Sequence, residues 1–214
     1  MDEIILPLFP LEVVLLPEEP LPLHIFEERY KQMIGECLEA QRTGNGHGDF
    51  GVILLREQAL STVGCTARIV NVTKKYPDGR MDILTVGKRR FELLLTNDAR
   101  PYLEGSVLFF DDEESDIASD SAAELAIKGF RDIVRKLRRA PEMPVHLPRP
   151  YRYLSFRIAG ALPLGLDFKQ HLLALRSEVE RVKLLLGAMN ALGSQIEGLE
   201  RSTAKGGGNG HYRH

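Results

Sequence analysis

The chain has 214 residues, 28 Lys+Arg against 30 Asp+Glu, 43% hydrophobic and 27% charged residues, and two cysteines. This composition excludes collagenous, low-complexity and disulfide-stapled classes and fits an ordinary globular protein of one two-part unit or two small domains. The near-neutral total hides an asymmetry: residues 1–120 hold 12 Lys+Arg against 22 Asp+Glu, and residues 121–214 hold 16 against 8. The two parts should therefore attract, modestly at physiological salt.

The opening run, Ile4 to Pro17 and on through Pro22 to Tyr30, is apolar but carries prolines at 7, 10, 17, 20 and 22. Proline fixes φ and removes an N–H, so the run divides into short extended pieces rather than one helix. Pro7, Pro10 and Glu12 also keep it below membrane-spanning length, and Asp2 and Glu3 stand where a signal peptide needs basic residues. A cytoplasmic address is the expectation. From Glu27 to Ala40, Tyr30, Met33, Ile34, Cys37 and Leu38 recur at helical spacing and predict one amphipathic helix. Cys37 on that face and Cys65 at a strand start read as reduced structural thiols, with no metal or disulfide spacing.

After a glycine-rich loop at 43–49, Phe50 to Leu55 reads as a strand buried on both faces. Thr66 to Lys74 and Met81 to Val86 form a hairpin around Tyr76-Pro77-Asp78-Gly79-Arg80, with Gly79 at positive φ. Lys88-Arg89-Arg90 reads as a solvated turn, and Phe91–Leu95 and Leu103–Phe110 as two more strands. The expected fold class is α+β: a small barrel-like β-sheet subdomain with one early helix, followed by an α-helical bundle.

Five like charges in Asp111–Asp116 mark the end of the strand region, and they lack the spacing of a calcium loop. The boundaries are 1–112 for the β-rich subdomain, 113–120 for an acidic linker, 121–202 for the helical subdomain and 203–214 for a disordered tail. Within the helical part, Ser121 with Glu124 has capping-box spacing, Phe130, Ile133, Val134 and Leu137 form a stripe, and prolines at 141, 144, 148 and 150 break the helix. Helices over Tyr151–Leu162, from Asp167 to Leu175 and from Ser177 follow, the last carrying Val182, Leu185, Met189, Leu192, Ile196 and Leu199 as a packing seam. His211 and His214 lie on the glycine-rich tail, where no metal is expected.

No phosphate-cradling G-x-x-x-x-G-K-[ST] loop occurs, nor G-x-S-x-G, H-E-x-x-H or a dinucleotide fingerprint. No enzyme activity, cofactor or metal is expected.

The opening run resembles that of the Lon N-terminal domain, the substrate-binding segment that precedes the ATPase in Lon proteases and also occurs as a stand-alone protein. The resemblance continues through Phe50-Gly51-Val52-Ile53-Leu54, Gly64-Cys65-Thr66-Ala67-Arg68-Ile69, Asp78-Gly79-Arg80-Met81, Gly87-Lys88-Arg89-Arg90-Phe91 and Pro101-Tyr102-Leu103-Glu104-Gly105. It implies a PUA-like sheet subdomain and a stand-alone form without the ATPase or the Ser-Lys peptidase. The implied function is a non-enzymatic polypeptide-binding module for unfolded or damaged chains with exposed apolar segments, working with a separate protease or chaperone and with no membrane.

Phe26 and Tyr30 at the proline-rich junction, and Pro101 and Tyr102 before the last strand, are the candidate partner-binding residues, each with a core or strand-start alternative. The alternative function is binding of RNA or another anionic partner through the basic helical half, with Tyr151-Arg152-Tyr153 as its one local aromatic platform.

Overall fold

The computed structural model describes residues 3–113, 116–137 and 151–206. The proline segment 141–150, and His211 and His214, lie outside the described residues. Prolines at the start divide the opening text into two strands, β1 (Ile4–Leu11) and β2 (Pro20–Ile25), before α1 (Glu28–Thr43) begins. Strands β3 (Asp49–Arg56), β4 (Ala59–Lys75), β5 (Met81–Asn97) and β6 (Glu104–Phe110) follow. The remaining elements are α2 (Asp120–Lys136), α3 (Leu154–Ala161), α4 (Leu166–Ala174) and α5 (Glu178–Gly206), so the described residues form an α+β architecture with a six-stranded mixed sheet and five helices.

The strands run in the order β2-β5-β4-β3-β1-β6, and β5 also pairs with β6. β1 tolerates its prolines because it changes partners part-way: Ile4–Pro7 pairs antiparallel with β6 and Leu8–Leu11 parallel with β3. Each half of the strand therefore has one ladder rather than two. Among the described strands β2 alone pairs with a single neighbour, β5, and it carries Pro20 and Pro22. The core collects Leu6, Leu8, Ile53, Phe91 and Val107. Gly64 allows this packing, because a Cβ there would stand 2.7 Å from the Val52 carbonyl oxygen and collide with the Phe91 ring. The amphipathic period of the first helix is realised, with Tyr30, Met33, Ile34 and Cys37 buried, and Phe9 packs against Tyr30 with ring centroids 4.0 Å apart and planes tilted by 30°.

Two compact units emerge, residues 1–113 with 163–176, and residues 114–162 with 177–214. The segment 163–176, which the sequence places with the helices, thus packs with the strands. Leu172 and Leu173 of α4 are buried, and a set of polar ties that no local pattern announces adds to their packing. Arg90, only 1% exposed, donates from Nη1 to the Leu173 carbonyl at 3.3 Å and to the Leu175 carbonyl. Its Nη2 donates to Asp112 Oδ1 at 2.6 Å, and Phe110 lies under the guanidinium at 4.6 Å. Lys169 pairs with Glu19 at 3.1 Å, Gln170 donates to the Val63 carbonyl at 2.9 Å, and Arg56 pairs with Asp167 at 2.6 Å.

Lys88-Arg89-Arg90 is therefore not a solvated turn. It lies within the single strand β5, with Arg90 turned into the protein to finish the carbonyls at the end of α4. Asp167 likewise leaves the cap of α4 to Gly165 and pairs with Arg56 instead. In the second unit, the N-cap of α2 is Ser119 rather than Ser121, its Oγ accepting from the Ala122 N–H at 3.3 Å. Val182, Leu185 and Met189 of α5 are buried, and Met189 packs over Gly129 of α2, but the seam fades to Leu199 at 67% exposure. Helix α5 continues to Gly206, into the stretch expected to be tail.

Between α3 and α5 a charged pair is fully enclosed. Glu178 accepts from the Ser155 N–H at 2.9 Å and hydroxyl at 2.6 Å, and Arg181 donates to Glu178 Oε2 at 2.6 Å and to Ser155 Oγ at 2.9 Å. Burial is tolerable because each charge meets an opposite charge and a hydroxyl.

Candidate functional site

The end of β2 brings a cluster of rings to the surface. Ile25 is buried, and the next side chain, Phe26, is 59% exposed. His24 stacks on Phe26 at 5.9 Å and 23°, and meets Tyr76 edge-on at 5.9 Å and 85°. Asp82, opposite His24 in the β2–β5 register, holds both polar ends: Nδ1 of His24 donates to Oδ1 at 2.5 Å and the Tyr76 hydroxyl donates to Oδ2 at 2.9 Å. These two hydrogen bonds keep the Asp82 carboxyl below its usual range.

Cations border the rings, with Lys74 Nζ 4.5 Å and the Arg80 guanidinium 5.1 Å from the Tyr76 centroid. The hairpin below turns at Gly79, with φ 82°, and Lys31 of α1 donates to the Asp78 carbonyl at 3.0 Å. Phe26 thus stands on a fixed base of two strands, a turn and a helix start. An exposed aromatic with oriented neighbours can bind apolar side chains without first ordering itself.

The other three sequence candidates occupy different surroundings. Tyr30 is 6% exposed and fastens α1 to β1 through Phe9, with the Arg29 guanidinium 4.5 Å from its ring. Tyr102 is 2% exposed, and its hydroxyl donates to Glu36 Oε2 at 2.6 Å while accepting from Arg100 at 3.0 Å. Burial, with the adjacent Glu36 acceptor, pushes the Tyr102 phenol up to about 12. Pro101 is exposed beside it. Among the described residues no hydrogen bond or ring contact joins one of the four candidates to another. His24, Tyr76 and Asp82 escaped the sequence reading because only the β2–β5 register brings them together.

A family description, the ATP-dependent protease La (LON) substrate-binding domain, matches residues 5–191. The chain belongs to this family. It is 28% identical to the Lon protease of Parabacteroides distasonis over 207 residues, covering 86% of this chain and 24% of that protein. The Lon protease of Cytophaga hutchinsonii is 23% identical over 201 residues, again with 24% of the relative covered. The chain thus spans about a quarter of the length of these relatives.

Among solved structures, the Lon N-terminal domain protein from Xanthomonas campestris superposes with a TM-score of 0.66 at 27% identity, covering 86% of this chain and 98% of that one. The N-terminal domain of the Mycobacterium avium complex Lon protease gives a TM-score of 0.58 at 16% identity and shares the fold. The match is to the substrate-binding part of Lon, the expected family.

The Lon-family chain here carries its thiols inside. Burial, reinforced by nearby carboxylates at Cys37, pushes Cys37 and Cys65 up to about 12. Of the aromatic platform considered for nucleic acid, Tyr151 is buried and Tyr153 stacks on Phe156 at 6.1 Å. Among the described residues no group of three His, Cys, Asp or Glu could hold a metal ion, and no helix is long and apolar enough to cross a membrane.

Proposed function

We propose that this chain is a non-enzymatic receptor for unfolded or damaged polypeptides, with Phe26 as its principal apolar contact and His24 and Tyr76 as its flanking rings. One observation carries the reading: an aromatic side chain 59% exposed, set on a polar cluster in which His24, Tyr76 and Asp82 fix one another. Family membership in the Lon substrate-binding domains supports protein as the ligand class.

Recognition by side chains rather than by an added strand is favoured, since β2, the one described strand with a single neighbour, lacks N–H groups at Pro20 and Pro22. Pro101 belongs to the exposed contact set, and Tyr30 and Tyr102 hold the helix and strand that frame it. We read the strand unit as a small PUA-like barrel, which the pairing of β5 with both β4 and β6 supports, and α2, α3 and α5 as a bundle. A reducing, cytoplasmic setting with a separate protease or chaperone as partner completes the proposal.

The test is fluorescence anisotropy of a labelled, permanently unfolded chain such as reduced, carboxymethylated α-lactalbumin. Binding should persist in high salt, because apolar burial dominates it, and should weaken at least about tenfold in Phe26→Ser, the scale of one buried aromatic contact. Equal affinity of Phe26→Ser and the parent, or hydrolysis of the probe by the purified chain, would overturn the reading.

A further inference from the structure

A concavity in the strand unit lies where the parallel strands β1 and β3 end. Leu11 registers with Leu54 at this end, and the cleft is lined by Glu12, Leu54, Leu55, Arg56, Leu166 and Asp167. Its volume is about 340 Å³, the size that takes one or two amino-acid side chains. The floor is aliphatic: Leu54 is 5% exposed, Leu55 is half-buried, and Leu166 is 36% exposed at the mouth.

The start of α4 is tied to the strands by Arg56 to Asp167 at 2.6 Å, by Lys169 to Glu19 at 3.1 Å and by Gln170 to the Val63 carbonyl at 2.9 Å. The β3–β4 turn alongside is built from Glu57 and Gln58, both at positive φ, 50° and 65°. A two-residue hairpin connection requires that conformation at both positions, and non-glycine residues adopt it at a cost.

The charges at the mouth are unbalanced. Arg56 is the one cation in the lining, and it is already engaged by Asp167. Glu12, which is exposed, has no hydrogen bond or ion pair to another described residue, and Glu57 adds a further negative charge next to Arg56. An aliphatic floor beneath surplus carboxylates matches a side chain with an apolar stem and a cationic end.

We infer that this cleft is a second subsite for the bound polypeptide and selects an extended segment in which leucine-like residues flank a lysine or arginine. The inference rests on the proposed polypeptide-binding function and deepens it by naming the class of segment. The apolar side chain lies on Leu54, Leu55 and Leu166, and the cation reaches Glu12 and the outer oxygen of Asp167.

The experiment uses the full chain and two fluorescein-labelled peptides, Ser-Leu-Leu-Lys-Leu-Gly-Ser and the same peptide with glutamate in place of lysine. The basic peptide should bind about fivefold tighter at low salt, the scale of one solvent-exposed ion pair. Glu12→Lys, a change on an exposed loop, should erase or reverse that preference while leaving the effect of Phe26→Ser on the unfolded chain intact. Equal affinity for the two peptides, or a preference that Glu12→Lys leaves unchanged, overturns the inference and leaves the proposed function standing. Failure of both peptides and of the unfolded chain to bind overturns the two together.

Discussion

Tyr102 and Glu36 are joined across 66 residues of sequence by a hydrogen bond of 2.6 Å that ties the approach to β6 to the middle of α1. Arg100 closes the group, 2.8 Å from the same carboxylate oxygen and 3.1 Å from Glu104. Burial alone would raise the Glu36 carboxyl, but hydrogen bonds from Tyr102 and Gln32 and the charge of Arg100 outweigh it and hold Glu36 below its usual range.

A carboxylate depressed in the folded state contributes stability above its unfolded pKa of about 4.3 and loses it as pH falls through the folded value. Urea midpoints measured from pH 7 to pH 3 should therefore fall less steeply at the acid end in Glu36→Gln than in the parent. Tyr102→Phe should cost about 1 kcal/mol at neutral pH, the net worth of one hydrogen bond. An unchanged acid limb in Glu36→Gln would remove this account of the group.

Arg90→Leu leaves the carbonyls at the end of α4 and Asp112 without their shared donor. The expected loss is about 3–5 kcal/mol, the cost of stripping one partner from a buried charge. Hydrogen exchange followed by mass spectrometry should show α4 amides opening before those of β3 and β4.

Glu178 and Arg181 are 2% and 0% exposed and 2.6 Å apart. Glu178→Ala alone should destabilise the helical unit by about 3–5 kcal/mol, whereas Glu178→Leu with Arg181→Met should recover most of that loss, as apolar replacement of a buried pair does. A double-mutant cycle by calorimetry reads the difference.

Cys37 and Cys65, both pushed up to about 12 inside the strand unit, hold almost no thiolate at neutral pH. Native protein should resist iodoacetamide at pH 7.5 for hours, and both thiols should label together when urea unfolds the sheet. Rapid labelling of either in native buffer would show an opening motion absent from this fold.

The elements with local causes were legible in the sequence: the helix through Tyr30, Met33, Ile34 and Cys37, the strand at Phe50–Leu55, buried as far as Leu54, and the turn at Gly79. What stayed hidden depends on partners far along the chain. Arg90 looks like surface charge beside Lys88 and Arg89 until Leu173, 83 residues on, supplies an acceptor. His24 looks like a lone imidazole until the β2–β5 register sets Asp82, 58 residues on, against it. Phe26, Tyr30 and Tyr102 carry the same aromatic signal in the sequence, yet Phe26 is exposed whereas Tyr30 and Tyr102 lie in the packing.

The prolines of β2 have a further consequence under the proposed binding of unfolded chains. Such chains pair readily with any bare strand, and one captured in that way presents a new bare strand to the next, which is how fibres and precipitates grow. With no backbone N–H at Pro20 or Pro22, β2 is a poor template for that growth. Under the proposed function, a bound client therefore meets on β2 no ready edge to extend.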